Sequence, residues 1–365
     1  MQAYIDQALA LATDSLLLTS PNPRVGCVIA SAQGVVLGQG HTQRAGEAHA
    51  EIMALRDAAA HGHSVRDATA YVTLEPCAHQ GRTGPCCDAL IAAGVGKVVA
   101  SLADPNPLVA GQGFARLRVA GIEVVVGPGA EESRELNLGF FSRMLRKTPW
   151  VRMKVAASLD GTTALDNGQS QWITAEAARA DGHAWRARAC AVLTGVGTLT
   201  ADNPRLDVRA IATPRQPALV VVDSRLQTPP NAQIFDLERR TIIYAAVPDA
   251  PRQAALQARG ATVVYLPNPV GKVDLAAMLR DLGQRQINEL HVEAGYQLNG
   301  SLVREALVDE LLVYLAPKLI GQGRGMAQWG PLDALAQALP LEFRSSTMVG
   351  PDLRILARVA GRDQF

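Results

Sequence analysis

Apolar residues fall into short runs broken by glycine, proline and asparagine, with longer helix-like stretches between them. The apolar-rich stretch over 3–18 predicts a helix, halted at Ser20-Pro21-Asn22-Pro23. Val25-Gly26-Cys27-Val28-Ile29-Ala30 predicts a strand, Gln33-Gly34 a turn and 35–40 a second strand, so the pair reads as a hairpin. Residues 49–59 predict a helix, and Thr69-Ala70-Tyr71-Val72-Thr73-Leu74 predicts a buried strand. A helix over 87–94, a strand over 97–101, a helix over 113–120 and a strand over 122–126 follow. Strands alternating with helices in this way predict a layered α/β domain. A helix over 131–146 leads to Lys147-Thr148-Pro149, which marks a boundary between domains at 1–147 and 148–365.

A second α/β series begins there. Its strands are predicted at 151–156, 191–194, 218–222, 241–244, 262–265, 289–292 and 311–315. Helices of about 10 to 15 residues separate several of them, a length typical of crossovers. Residues 341–359 predict a hairpin around Gly350-Pro351-Asp352, and no internal repeat is visible.

Size agrees with two domains: 365 residues, 48% of them apolar, are enough for two cores. The net charge of +1 gives no electrostatic footprint for nucleic acid, and 4% aromatics is poor for stacking on single strands. The N-terminus carries Asp6 and Asp14 and no basic start, unlike a signal peptide. No apolar run is long enough to span a bilayer. Five cysteines, an odd count of which two or three serve a metal, suggest a reducing compartment, so the expected address is the cytoplasm. Cys27 and Cys190 read as small buried hydrophobes.

The most specific chemistry is His49-Ala50-Glu51, then Glu75-Pro76-Cys77, then Gly84-Pro85-Cys86-Cys87. A histidine and two cysteines can hold one zinc ion and leave its fourth position to water. His-x-Glu followed by Pro-Cys-x-x-Cys is the signature of zinc deaminases. His49 and Glu51 flank a point off the first turn of a helix, where free N–H groups and the positive dipole end lie. Strand, helix, strand in that order places Cys77 at a strand's carboxyl end, on the sheet edge where the His49 helix starts. A helix start after Pro85 lowers a thiol's pKa toward the thiolate that metals need. The short form of the signature has two residues between the cysteines; here eight separate Cys77 from Cys86. Spacing alone does not choose between Cys86 and Cys87. The insert over 78–85 is polar and could touch a substrate.

The second half is less explicit. No Gly-x-Gly-x-x-Gly opens a helix after its first strand, and Gly195-Val196-Gly197 and Gly321-Gln322-Gly323-Arg324-Gly325 lack the Lys-Ser/Thr of a P-loop. Arg186, Arg205 and Arg209 are candidate phosphate holders. Glu293 ends a buried-looking strand and is a candidate site carboxylate.

Taken together, Pro21-Asn22-Pro23-Arg24-Val25-Gly26, Gly46-Glu47-Ala48-His49-Ala50-Glu51 and the stretch 74–87 closely resemble the bifunctional riboflavin-biosynthesis deaminase–reductases. So do Met153-Lys154-Val155-Ala156-Ala157-Ser158-Leu159-Asp160-Gly161, Ser170-Gln171-Trp172-Ile173-Thr174, Asp202-Asn203-Pro204 and Val292-Glu293-Ala294-Gly295. The wide cysteine spacing is that family's own pattern. The resemblance implies a cytidine-deaminase-like three-layer α/β/α domain followed by a dihydrofolate-reductase-like α/β domain. It implies one zinc ion on His49, Cys77 and Cys86, with Cys87 not a ligand, and Glu51 as general base and then acid. The implied substrate is a small phosphorylated pyrimidine, with Asn22, His41 and the 79–85 loop, Arg82 included, as contacts. For the reductase it implies NADPH, with Ala156, Trp172, Thr198, Asp202, Ser224 and the turn Gly295, Tyr296, Gln297, Leu298, Asn299, Gly300, Ser301 at nucleotide-contacting positions. That stretch is expected to open a helix over 302–307, which suits a phosphate. Ser170, Arg186, Leu206, Arg209 and Glu293 fall at substrate positions, and Lys154 and Glu293 are expected to assist ring opening and proton delivery. No nucleic-acid or membrane partner is expected, and the chain is expected to form a homo-oligomer.

Overall fold

Glycines set the packing of the first layer. In a computed structural model, which describes residues 1–79, 84–107 and 110–365, the chain divides into two compact units, Met1–Arg146 and Lys147–Phe365. The first carries α1 (Gln2–Asp14), β1 (Gly26–Ala30), β2 (Val36–His41), α2 (Ala50–Ala60), β3 (Thr69–Val72), α3 (Cys86–Ala92), β4 (Lys97–Ala100), α4 (Gln112–Val119), β5 (Glu123–Val126) and α5 (Ala130–Arg146). Its sheet runs β2-β1-β3-β4-β5, with β1 antiparallel to both neighbours and the rest parallel. Helices α1 and α5 lie together on one face, and α2, α3 and α4 on the other. A Cβ at Gly38 would lie 2.3 Å from Ala54 O, and one at Gly40 would lie 2.4 Å from Met53 Cβ. Only glycine lets the middle of α2 press this closely onto β2.

The second unit carries β6 (Trp150–Ser158), α6 (Glu176–Arg188), β7 (Ala191–Gly195), α7 (Val196–Asp202), β8 (Ala218–Val222), β9 (Thr241–Ala245), α8 (Ala250–Gln257), β10 (Ala261–Tyr265), α9 (Leu275–Gln284), β11 (Glu289–Val292), α10 (Tyr296–Arg304), β12 (Glu310–Ala316), β13 (Leu341–Val349) and β14 (Asp352–Val359). The sheet order is β10-β9-β8-β7-β11-β6-β12-β14-β13, parallel from β10 through β12, with β14 antiparallel between β12 and β13. The chain leaves β6, skips one place to β7, runs outward to β10 and returns to fill the gap with β11. Such a switch point opens a crevice at the carboxyl ends of the strands.

One face of β6 and β11 is apolar: Val151, Met153, Leu290 and Val292 pack with Met278, Leu279 and Leu302. The other face is charged yet buried. Arg152 reaches Glu289 at 3.1 Å and Glu310 at 2.6 Å, and Arg358 reaches Glu310 at 3.1 Å. Buried charges persist only when paired in this way.

One expected element is displaced. The helix expected over 302–307 begins at Tyr296, with Gly295 as its N-cap. Gly300 and Ser301, turn residues by type, sit inside it. Gly300 is needed there because a Cβ would lie 2.4 Å from Gln328 O, and Leu302 on the same helix is fully buried. Tertiary packing overrides local propensity at this point.

Candidate active sites

In the first unit, the carboxyl ends of β2 and β3 and the start of β1 share one sheet edge. His41, Asn22 and the segments leading to His49 and Cys77 are therefore at that edge. His49 is the N-cap of α2, and Cys86 is the first residue of α3 after Pro85. His49 Nδ1 is 3.7 Å from Cys77 Sγ and 3.4 Å from Cys86 Sγ, and all three donor atoms lie within 4.8 Å of one another. Zinc bonds of about 2.3 Å to sulfur and about 2.0–2.1 Å to nitrogen, at the tetrahedral angle, separate those atoms by about 3.6 Å. The observed distances straddle that value, so the donors fit a tetrahedral zinc ion.

Their protonation fits as well. The Cys86 backbone N–H donates to Cys77 Sγ over 3.3 Å. Hydrogen bonding from Cys86, with help from His49, pulls the Cys77 thiol down to about 4, while its bond to Cys77 and burial push Cys86 up. Two sulfurs share one proton, and a dication supplies the charge that lets both become thiolates. Cys87 packs in the core instead, its Sγ 3.7 Å from Asp88 Oδ1. Geometry therefore brings Cys86, of the two, to the histidine. Glu51 is 3% exposed in the first turn of α2. Burial, then the Cys77 sulfur, pushes its carboxyl up to about 7, where a proton-transfer group is most useful.

The supporting residues were not legible as such. Glu75 is buried, and its Oε2 accepts from Asp104 N at 3.1 Å and Gly111 N at 2.9 Å. Its Oε1 accepts from Gly113 N at 2.9 Å and Phe114 N at 3.3 Å. The turn carrying Cys77 is thereby tied to the start of α4. Burial pushes the adjacent Asp104 up to about 7. Asn137, at a kink in α5, accepts from Arg24 N at 2.8 Å and donates to Arg24 O at 2.9 Å, anchoring the segment after Asn22. His41 Nδ1 lies 3.3 Å from Gln43 Nε2. In the insert, His79 Nδ1 is buried without a hydrogen-bond partner among the described residues. Arg82 lies outside the described residues.

In the second unit, Glu293 follows β11 at the switch point. Arg186 grips its carboxylate through Nε and, at 2.9 Å, through Nη2; Lys154 Nζ is 3.8 Å from Oε2. Burial opposes the Glu293 charge, but Arg186 and Lys154 hold its carboxyl well below the usual range. Burial lowers the Lys154 ammonium from its ordinary value. Arg186 also donates to Asp207 O at 3.0 Å. Buried Asp207 is paired with Arg209 and, at 3.2 Å, with Arg205. Arg239 donates to Arg205 O and Leu206 O, each at 2.6 Å, and Leu206 adopts a left-handed φ of 51°. His183 Nδ1 accepts from Arg209 N at 3.4 Å. Lys154, Arg186, Leu206, Arg209 and Glu293 thus form one constellation. Ser170, in the connection before α6, is not hydrogen-bonded to it among the described residues. Asp207, Arg239 and His183 were missed; the Arg-x-Asp-x-Arg spacing at 205–209 was the available signal for Asp207.

The starts of α7 and α10 meet across the ends of β7 and β11. A Cβ on Gly295 would meet Thr198 Oγ1 at 3.7 Å, and one on Gly195 would meet Leu298 Cδ2 at 3.2 Å. Thr198, Gly295, Tyr296, Gln297 and Leu298 are therefore together, and the free N–H groups of two helix starts suit a dinucleotide's phosphates. Asn299 instead donates to Met326 O at 3.0 Å, Gly300 backs onto Gln328, and Ser301 Oγ donates to Gln297 O at 3.2 Å. Ala156 is half-buried near the end of β6. Ser224 follows β8, and its Oγ accepts from Val273 N at 3.2 Å. Asp202 is exposed at the end of α7, and exposed Trp172 lies under Arg179, 4.6 Å from ring centroid to guanidinium.

The donor triangle beside Glu51 and the switch-point crevice, together with two family matches, make this a zinc-dependent deaminase joined to a nicotinamide-dependent reductase. Residues 1–102 match the cytidine and deoxycytidylate deaminase zinc-binding region, and residues 149–355 match the RibD C-terminal domain. Riboflavin biosynthesis protein RibD of Escherichia coli K12 is 45% identical over 363 residues, 96% of this chain and 97% of the relative. That of Aquifex aeolicus is 38% identical over 352 residues, 96% of each. A solved structure of Acinetobacter baumannii RibD has a TM-score of 0.88 at 39% identity, covering 98% of both chains. A Thermotoga maritima diaminohydroxyphosphoribosylaminopyrimidine deaminase/5-amino-6-(5-phosphoribosylamino)uracil reductase has a TM-score of 0.87 at 29% identity, again covering 98% of both. The chain belongs to the RibD family of bifunctional deaminase–reductases of riboflavin biosynthesis. No helix among the described residues is long and apolar enough to cross a membrane.

Proposed function

We propose that the first unit deaminates diaminohydroxyphosphoribosylaminopyrimidine and that the second reduces the resulting 5-amino-6-(5-phosphoribosylamino)uracil to its ribityl form. The convergence of His49, Cys77 and Cys86 beside buried Glu51 carries this reading. Zinc held by those three side chains would make a water nucleophilic near neutral pH. Glu51 takes a proton from the attacking water and returns one to the departing amine, so that ammonia leaves as oxygen replaces nitrogen on the ring. Asn22 and His41, at the same sheet edge, and Arg82 contact the substrate.

In the reductase, NADPH would supply the hydride; the facing starts of α7 and α10 would hold its phosphates, and Ala156, Trp172, Asp202 and Ser224 would make further contacts with it. Asn299, Gly300 and Ser301 support that helix from within. Lys154, its pKa lowered by burial, holds and gives the proton needed as the sugar ring opens. Glu293 stays ionised and orients Lys154 and Arg186. Around the crevice, Lys154, Arg186, Arg205, Arg209 and Arg239 outnumber Glu293 and Asp207, which favours a phosphorylated substrate, with Ser170 and Leu206 completing its contacts. None of the five cysteines is in a disulfide, which supports a cytoplasmic setting. A homo-oligomer completes the reading, and sedimentation checks it.

Glu51→Ala tests the assignment. Ammonia release stops while purified deaminated intermediate is still reduced; ammonia release at the wild-type rate refutes the role of Glu51.

A further inference from the structure

The polar face of β11 carries Glu289 and His291, with Glu293 just past its end, and the three are satisfied unequally. Glu289 pairs with Arg152 and Arg188, and Glu293 with Arg186 and Lys154. His291 between them is 0% exposed, and among the described residues neither ring nitrogen makes a hydrogen bond of good geometry. Its Nε2 is 3.5 Å from Glu293 Oε1, the edge of hydrogen-bond reach. A buried ring short of partners costs stability, and an apolar residue would remove that cost. A group retained at such a cost calls for a function.

The neighbours say which. In register, His291 lies beside Arg152 of β6 and Val192 of β7. Arg152 is already committed to Glu289 and Glu310. Burial, with Arg152 and Arg186 behind it, lowers the ring's pKa from its ordinary value against the opposing pull of Glu293, which favours the neutral ring. A neutral imidazole with its proton on Nε2 is a donor toward Glu293 Oε1.

Resting on the reading of Glu293 as part of the reductase site, we propose that His291 is a positioning residue. It steadies the Glu293 carboxylate from the buried side, so that Lys154 and Arg186 meet the substrate in a single geometry. The ring itself does not touch substrate.

The test uses the full-length, zinc-loaded protein and its His291→Leu and His291→Gln variants. Reduction of 5-amino-6-(5-phosphoribosylamino)uracil by NADPH, deamination and melting temperature are measured on the same preparations. His291→Leu should lower reductase kcat on the order of 10–100-fold, the scale of a small misplacement in a site, with KM changing less. Its melting temperature should hold or rise, and deamination should be unchanged. His291→Gln, whose amide nitrogen can stand where Nε2 stands, should recover most of the lost kcat. Wild-type kcat in His291→Leu, or losses in both variants that follow a falling melting temperature, would overturn the proposal. Glu293→Gln separates the two levels. If it is impaired while His291→Leu is not, only the positioning role fails; if it reduces normally, the underlying reading of the crevice fails too.

Discussion

Replacing Glu75 by glutamine asks whether the metal cage depends on a carboxylate that never touches the metal. Each of its oxygens takes two backbone N–H donors. Glutamine keeps one oxygen and turns an amide NH2 toward the other pair. With the oxygen retained on Gly113 and Phe114, the donors of Asp104 and Gly111 lose their acceptor. An orphaned buried donor costs about 1–3 kcal/mol. The N–H of Gly111 is only part-buried and can turn to water, so the net loss is about 3 kcal/mol. For a unit of 146 residues, Met1–Arg146, that is roughly 6–12 °C in Tm. Cys77 lies two residues beyond Glu75, so a slackened turn also loosens the donor triangle. Changes behind metal ligands typically cost about 10–100-fold in metal affinity. Scanning calorimetry of the full chain, with zinc competition against a chromophoric chelator, reads both effects. Wild-type Tm and wild-type zinc affinity in Glu75→Gln would refute the reasoning.

Two further predictions come from the same geometry. Cys86→Ser should lose stoichiometric zinc in metal analysis, whereas Cys87→Ser should retain it and lose about 1–3 kcal/mol from placing a hydroxyl in the core; equal zinc loss in both would contradict the assignment. Glu293 and Glu310 have folded-state pKa values below the ordinary 4.5. A carboxyl lowered on folding contributes stability that is fully present above its unfolded value and is lost as pH falls through its folded one. The second unit should therefore hold its Tm down to about pH 5 and lose it progressively below about pH 4.5, less steeply in Glu293→Gln, as calorimetry from neutral to acid pH will show.

The candidate zinc donors were legible because few arrangements explain a His-x-Glu and a Pro-Cys separated by one helix and one strand. The sheet edge was legible for a related reason: β2, α2 and β3 follow a pattern with one permitted handedness. Spacing alone did not choose between Cys86 and Cys87; the family resemblance pointed to Cys86, and the backbone gives the physical reason, since adjacent residues at a helix start differ in the direction they point. Glu75 looked like part of a motif, but its function depends on donors at 104, 111, 113 and 114, which only the folded loop brings round. Arg152, Glu289, Glu310 and Arg358 alternate with apolar residues, a pattern that does not by itself tell a buried polar face from a solvated one. Their burial is decided by the charges on neighbouring strands, which no single segment displays. The start of α10 was misplaced because the residue types over 295–301 suggest a turn, while the constraint on Gly300 is the closeness of Gln328 within the helix.

The most direct measurement is a time course with the zinc-loaded full-length protein and diaminohydroxyphosphoribosylaminopyrimidine, following ammonia and NADPH together. Ammonia should appear with no nicotinamide present. NADPH added afterwards should be oxidised in proportion to the ammonia already released. Oxidation of NADPH before any ammonia is released, or the absence of ammonia from protein shown to carry its zinc, would contradict the account.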